Sequence, residues 1–287
     1  MTAHDVPPEI GALLASLAEQ QPSIDASAVM RAALSARAAT PMQPEPSTDE
    51  VAAFGRTIDD IQRTLGLLTA ADWGRPAVNG LTVGGLVGHL IGTQQAMAAE
   101  LGLREPISPS DDHIEATRLA ITEGTAHTAV AAAAEFAGAS ALLTTHLASL
   151  DDHGLAAPAR FGSLTADVRF LLLGRVFELW THDNDLRSAA GLEPSEPDPE
   201  RLWMMTRAVM PLVRLVGDDR VRIVLTGAGG GVWPAADDEV AEIVVDSVSF
   251  CRRVANRISV SELGADISGD HGIAQATLTA LAGLALD

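Results

Sequence analysis

The stretch FELWTHDNDLR, residues 177–187, decides how the rest of the chain is read. On a helix, Glu178, His182 and Asp185 stand at i, i+4 and i+7, so they share one face. Leu172, Val176, Phe177 and Trp180 follow helical spacing around them, which predicts a helix from Leu164 to Ala190. A carboxylate and an imidazole four residues apart can both bind a metal ion. A histidine from a neighbouring helix would complete a three-ligand set with a position left open for water or substrate. His89 is the candidate for that third ligand. The same spacing also fits an ordinary ion pair, because Arg175 lies three residues before Glu178 and can neutralise it.

Toward the N-terminus the pattern remains helical. Ser47 with Glu50 fits a capping box, and Val51, Phe54, Ile58, Ile61, Leu65 and Leu68 recur at steps of three and four. Trp73-Gly-Arg-Pro76 and Asn79-Gly80 read as turns. They lead to Thr82, a suitable N-cap for a helix through Val83, Leu86, Val87, Leu90 and Ile91 that carries His89. A third, alanine-rich helix is predicted from Thr125 to Leu150. Four such helices with moderate connections suggest a bundle. Residues 1–47, with only modest helical patterns and the run TPMQPEPST (40–48), read as an N-terminal extension and linker.

Beyond residue 190 the texture changes. GLEPSEPDPE (191–200) reads as a boundary, and a helix follows from Leu202 to Leu215. Arg220–Thr226 alternates as a strand, GAGGG (227–231) as a turn and Val240–Val245 as a second strand. Helical patterns then cover Ser247–Ile258 and Ile273–Leu286. The expected class is therefore α+β: a helical bundle over 48–195 followed by a small α/β domain over 196–287.

Composition narrows the function. In 287 residues, 47% are hydrophobic and the net charge is −19, which supports a real core and disfavours nucleic-acid backbones and anionic membranes as partners. All 19 basic residues are arginine and tyrosine is absent, a bias that a GC-rich coding sequence would produce. Cys251 stands alone and cannot close an internal disulfide, and the start MTAHDVPPEI lacks the features of a secretion signal, so a cytoplasmic location is expected. Apolar runs such as Ala129–Ala134 are too short to span a bilayer, and no transmembrane helix is expected.

Other motifs carry less. GAGGG fails the G-x-G-x-x-G pattern and lacks the Lys-Ser/Thr of a phosphate loop. Ser163 lies outside any G-x-S-x-G elbow, and no H-E-x-x-H occurs. Cys251, between Phe250 and Val254, reads as a packed core residue although Arg252 and Arg253 follow it. His113, His127, His146 and His153 fall outside the motif, with His146 retained as a possible fourth ligand or proton carrier. Trp73, Trp180 and Trp233 read as packing residues.

In combination, several pieces resemble the mycothiol-dependent maleylpyruvate isomerase family, whose bundle belongs to the DinB-like metal-binding four-helix proteins. Trp73 with Pro76 and LTVGGLVGHL resembles the family's first metal-ligand helix, and ELWTHDNDLRSAAG resembles its Glu-x-x-x-His-x-x-Asp-x-Arg helix. VRIVLTGAGGGVWP is similar to the family's small C-terminal domain, which has a sterol-carrier-protein-like fold. VDSVSFCRRVANR resembles a helix ending in an arginine that lines the active site, here Arg257 with Arg253 as its competitor. The chain departs from the family at Leu81, where a Trp is usual, at Gly85, where an acidic residue is frequent, and at Ala255-Asn256, where a Gly commonly precedes the Arg.

The resemblance implies zinc, or another divalent metal, on His89, Glu178 and His182, with mycothiol as thiol cosubstrate. It further implies isomerisation or S-transfer on a small-molecule electrophile whose carboxylate Arg257 would bind. Asp185 and Arg187 are expected to orient the ligands. A non-catalytic metal-binding regulator, or a hydrolase using metal-activated water, are the competing readings.

Overall fold

The computed structural model describes residues 49–105, 117–122, 128–161, 164–236 and 238–285. The N-terminal extension, including the cap proposed at Ser47, lies outside them, as do His113, His127 and Ser163. Helix α1 (Glu50–Leu67) is capped by Asp49, whose carboxylate accepts the Ala52 N–H at 2.8 Å. Its apolar stripe, Phe54, Ile58, Ile61 and Leu65, is buried as the spacing predicts. Helix α2 (Val83–Glu100) starts on the Thr82 hydroxyl, which accepts from Gly85 N at 3.2 Å. Every residue of α2 from Val83 to Gln94 is buried, so this helix runs through the middle of the helical layer.

Three glycines four residues apart set how closely other elements approach α2. A Cβ at Gly84 would meet the Trp73 indole Nε1 at 2.5 Å, and one at Gly92 would meet the Thr117 side chain at 2.8 Å. A Cβ at Gly88 would collide with the backbone carbonyl of Ala120. The short helix over 117–122 lies against this stripe, closer than any side chain would permit.

Helix α3 (Ala129–Leu147) is capped by Thr128 and buries Ala132, Phe136, Leu143 and Leu147. Its apolar character runs well past Ala134. At 19 residues it is long and apolar enough to cross a membrane by length and composition, which corrects the expectation drawn from the shorter run. Here it packs against α1 and α2.

Residues 164–167, expected to open the next helix, instead form strand β2 (Leu164–Asp167), paired antiparallel with β1 (Pro158–Phe161). The helix begins one residue later because Asp167 accepts the Phe170 N–H at 2.7 Å and caps it. Helix α4 (Val168–Ala190) then packs on α1 and α2 and ends at Gly191, whose φ of 72° closes the last turn.

The segment 191–200 is tied down rather than loose. Ser195 bonds Asn184 Oδ1 through its N–H at 2.9 Å and Asp183 Oδ2 through its hydroxyl at 2.6 Å, while its carbonyl accepts from Trp180 Nε1 at 3.1 Å. Asp198 caps α5 (Pro199–Val216) and pairs with Arg56 of α1 at 3.2 Å. Proline and acidic residues therefore mark a turn whose polar groups α1 and α4 satisfy.

Helix α5 belongs to two cores. Leu202, Met204 and Met205 join the cluster of α1–α4, whereas Val209, Met210 and Val213 join a second cluster under a four-stranded sheet. In that sheet β3 (Val221–Thr226) and β5 (Ala241–Asp246) are parallel neighbours, flanked by antiparallel β4 (Gly231–Trp233) and β6 (Asp266–Gly269). Val221, Ile223 and Leu225 alternate inward with Ala241, Ile243 and Val245, toward α6 (Ser247–Val254) and α7 (His271–Ala280). Burying one such Ile or Leu side chain contributes about 1.5–3 kcal/mol. A 3-10 turn, Leu281–Leu284, brings the last described residues back toward α5 and α6. The architecture is α+β, a helical layer followed by a small sheet covered by helices.

Candidate metal centre

Helix α4 presents Glu178 and His182 one turn apart, and α2 presents His89 opposite them. One ligand atom from each of the three lies within 4.8 Å of the others. His89 Nε2 is 3.4 Å from Glu178 Oε1, and the two imidazoles meet edge to face with centroids 5.3 Å apart. Both histidines are only 3% exposed, so their polar nitrogens require partners inside the protein.

Each imidazole is held through Nδ1. His182 Nδ1 bonds Asp185 Oδ2 at 2.9 Å, and His89 Nδ1 lies 3.2 Å from the Thr117 hydroxyl. Such bonds hold each ring's orientation, and the Asp185 carboxylate, which only accepts, takes the Nδ1 proton of His182, so Nε2 is the nitrogen left for the cluster. Glu178 is divided between two tasks. Its Oε2 accepts from Arg175 NH1, while Oε1 is buried without a hydrogen-bond partner. An orphaned carboxylate oxygen beside two oriented imidazoles is a donor set that fits a divalent cation.

Arg175, 2% exposed, also donates to Thr93 Oγ1 at 3.0 Å and to Gln94 Oε1 at 3.2 Å. The ion pair anticipated between Arg175 and Glu178 thus coexists with the three-residue cluster, because the carboxylate has two oxygens. Burial alone would raise the Glu178 carboxyl, but the Arg175 guanidinium holds it well below the usual carboxylate range. Burial pushes His89 below its ordinary value, with Glu178 opposing the shift. Burial likewise resists ionisation of Asp185, and its bonds to His182 and Arg257 prevail, leaving it lowered.

Arg257, expected to line the cleft, is bonded to Asp185 in this arrangement. Its Nε and NH2 grip the two oxygens of Asp185 at 2.8 and 2.9 Å, and NH1 donates to Ala255 O at 2.6 Å. Arg253, the competitor, spends its donors on the carbonyls of Leu278, Ile258 and Thr279 and fastens α6 to α7. Asn256, between them, has φ of 55°, a left-handed conformation that glycine or asparagine adopts most readily. That explains how this chain accommodates Asn where a glycine commonly stands. Arg187 bonds Asp183 Oδ2 at 3.2 Å and Glu193 O at 2.8 Å, away from the cluster.

A cavity of about 130 Å³ opens over the cluster, bounded by α4, α5, α6 and the 3-10 turn. His89, Arg175, Glu178, Thr181 and His182 line one end, and apolar side chains line the rest. His146 is not among the lining residues. Cys251 is fully buried against the helical core and burial pushes its thiol far up, so it offers no nucleophile here. Sequence reading missed Thr117 as a partner of His89. The glycines at 84, 88 and 92 were the available signal, since a small residue every fourth position marks a close approach.

The profile of the mycothiol maleylpyruvate isomerase N-terminal domain matches residues 54–187, which include all three residues of the cluster. Two solved structures are similar in fold. One is a mycothiol-dependent maleylpyruvate isomerase, 19% identical, with a TM-score of 0.56, covering 74% of this chain and 89% of its own. The other is a histidine-to-alanine mutant of a mycothiol-dependent maleylpyruvate isomerase, 18% identical, with a TM-score of 0.57, covering 73% and 89%. No curated protein sequence matches the chain. Residues 54–187 are thus a domain of the mycothiol maleylpyruvate isomerase N-terminal family, and the chain shares its fold with the two solved isomerases.

Proposed function

We propose that this chain is a zinc-dependent enzyme that holds the metal on His89, Glu178 and His182 and uses a low-molecular-weight thiol, mycothiol, in isomerisation or S-transfer on a small electrophile. The observation that carries the reading is the convergence of ligand atoms from His89, Glu178 and His182 within 4.8 Å, with Glu178 Oε1 buried without a hydrogen bond and both imidazoles held through Nδ1. A metal at such a site would lower the pKa of a bound thiol so that the thiolate exists at neutral pH.

The chain's own residues supply the rest. Arg175 keeps Glu178 ionised, so the carboxylate is available as an anionic ligand. Asp185 holds His182 in the tautomer that presents Nε2, and Arg257 holds Asp185. Arg257 is in this reading a positioning residue that links α6 to the cluster on α4. The apolar walls limit water at the reacting end and so protect an activated thiol from competing hydrolysis.

Elemental analysis of the purified chain tests the metal, with one zinc per chain expected, lost in His89→Ala and in His182→Ala. A chain that purifies metal-free and takes up no zinc or cobalt overturns it. Adding mycothiol to the cobalt-substituted protein tests the thiol. Appearance of a thiolate-to-cobalt absorption supports the reading, and an unchanged spectrum leaves the thiol role without foundation.

A further inference from the structure

The cavity walls bear on what the site accepts, and the inference rests on the metal-and-thiol reading above. Away from the cluster the cavity is bounded by Phe170 and Phe177 of α4, Val209 and Leu212 of α5, Val254 of α6, and Leu284 of the 3-10 turn. The polar groups that reach it are already committed. Thr181 donates its hydroxyl to Phe177 O at 3.0 Å, and the Arg175 guanidinium serves Glu178, Thr93 and Gln94. Arg257, the cation on α6's side, is clasped by both oxygens of Asp185 and is not among the lining residues.

From these observations we infer that the part of the substrate beyond its reacting atom is apolar and uncharged. A carboxylate placed against Phe177, Leu212 and Leu284 would leave its water with no uncommitted donor among the described lining residues to replace it. An aromatic or branched aliphatic group there would instead bury apolar surface on both partners. The electrophile therefore presents a hydrophobic group, aryl or alkyl, to this part of the cavity.

Two thiols that differ by one distal charge probe these walls from the metal position: benzyl mercaptan and 4-(mercaptomethyl)benzoate. Each is titrated into the full-length cobalt-substituted protein, with the thiolate-to-cobalt absorption as readout. The uncharged thiol is expected to bind at least about tenfold more tightly, the discrimination of an unpaired buried carboxylate. Equal or tighter binding of the charged thiol overturns the inference. Leu212→Arg, which adds a cation to the wall and touches no residue of the cluster, is expected to shrink the preference to within about threefold. An unchanged preference in that folded variant would show that the distal group lies elsewhere and would equally overturn it.

The metal-free protein provides an arm independent of the metal. Saturation-transfer NMR with benzyl alcohol against 4-(hydroxymethyl)benzoate should show contact for the neutral ring and none for the charged one, and the reverse refutes the inference. A blank cobalt spectrum with a positive NMR result sinks the metal reading alone.

Discussion

Replacing Gly88 with alanine is expected to destabilise the protein, although alanine is the better helix former. The intrinsic gain in a helix interior is about 1 kcal/mol. Against it stands the Ala120 carbonyl in the space a Cβ would take, with Ile121 Cα only 2.8 Å away. These are backbone atoms, so no rotamer change relieves the clash and the 117–122 helix must move off α2. Overpacking of this kind costs about 1–3 kcal/mol, and losing the Thr117–His89 bond adds about 1 kcal/mol. The net loss should be about 1–3 kcal/mol, or about 2–4 °C in Tm for each kcal/mol.

Gly55→Ala on α1 supplies the control, because nothing lies within 4 Å of its Cβ. That variant should gain about 0.5–1 kcal/mol. Urea unfolding followed by circular dichroism reads both. Since Thr117 orients His89, cobalt affinity should also fall in Gly88→Ala and hold in Gly55→Ala. If Gly88→Ala proves as stable as the parent, the close packing of 117–122 on α2 is wrong, and with it the reason for His89's orientation.

Three further outcomes follow from the site. Asp185→Asn removes an anionic acceptor from His182 and frees Arg257, so metal affinity measured by chelator competition should drop about 10–100-fold, with Arg257→Lys intermediate because it retains charge without the bidentate grip. Unchanged affinity in folded Asp185→Asn would refute the positioning role. In the metal-free protein, stability should decline as pH falls. His89 is depressed below its ordinary 6.5, so the unfolded chain takes up its proton first and stability drops as pH passes below that value. Glu178 and Asp185, lowered from 4.5 and 3.8, have the same sign and extend the loss in their own, more acidic range. Urea midpoints that stay level between about pH 7.5 and 5 would contradict a buried neutral His89. Finally, Cys251 should resist an aromatic disulfide reagent in the folded protein and react in denaturant, and Cys251→Ala should keep its zinc. Rapid reaction in the native state would revive it as a nucleophile.

Local chemistry in the sequence was enough to locate the helices through Phe54, His89 and Glu178, the parallel strands around Ile223 and Ile243, and the i, i+4 relation of Glu178 and His182. Each of these depends on neighbours within a few residues, where periodicity and capping act directly. Residues 164–167 were misassigned to a helix because their partner strand lies across a hairpin, and a single strand carries no mark of its pairing. The acidic, proline-rich run at 191–200 reads as a boundary, and its bonds to Asn184, Asp183 and Arg56 are invisible in the local sequence because those partners come from other elements.

The same division runs through the site. Sequence spacing put Glu178 and His182 on one face of one helix and offered His89 as a third ligand, which family resemblance supported, but neither contained the distance between α2 and α4. The packing of α2 on α4 decided that, while glycines on α2 let 117–122 close and place Thr117 against His89. Packing also decided the fate of Arg257, which a linear motif presents as a cleft cation and the folded chain commits to Asp185. Local pattern determines which side chains share a face. Which charges meet, and which polar atoms remain unpaired, is set only when distant elements exclude water between them.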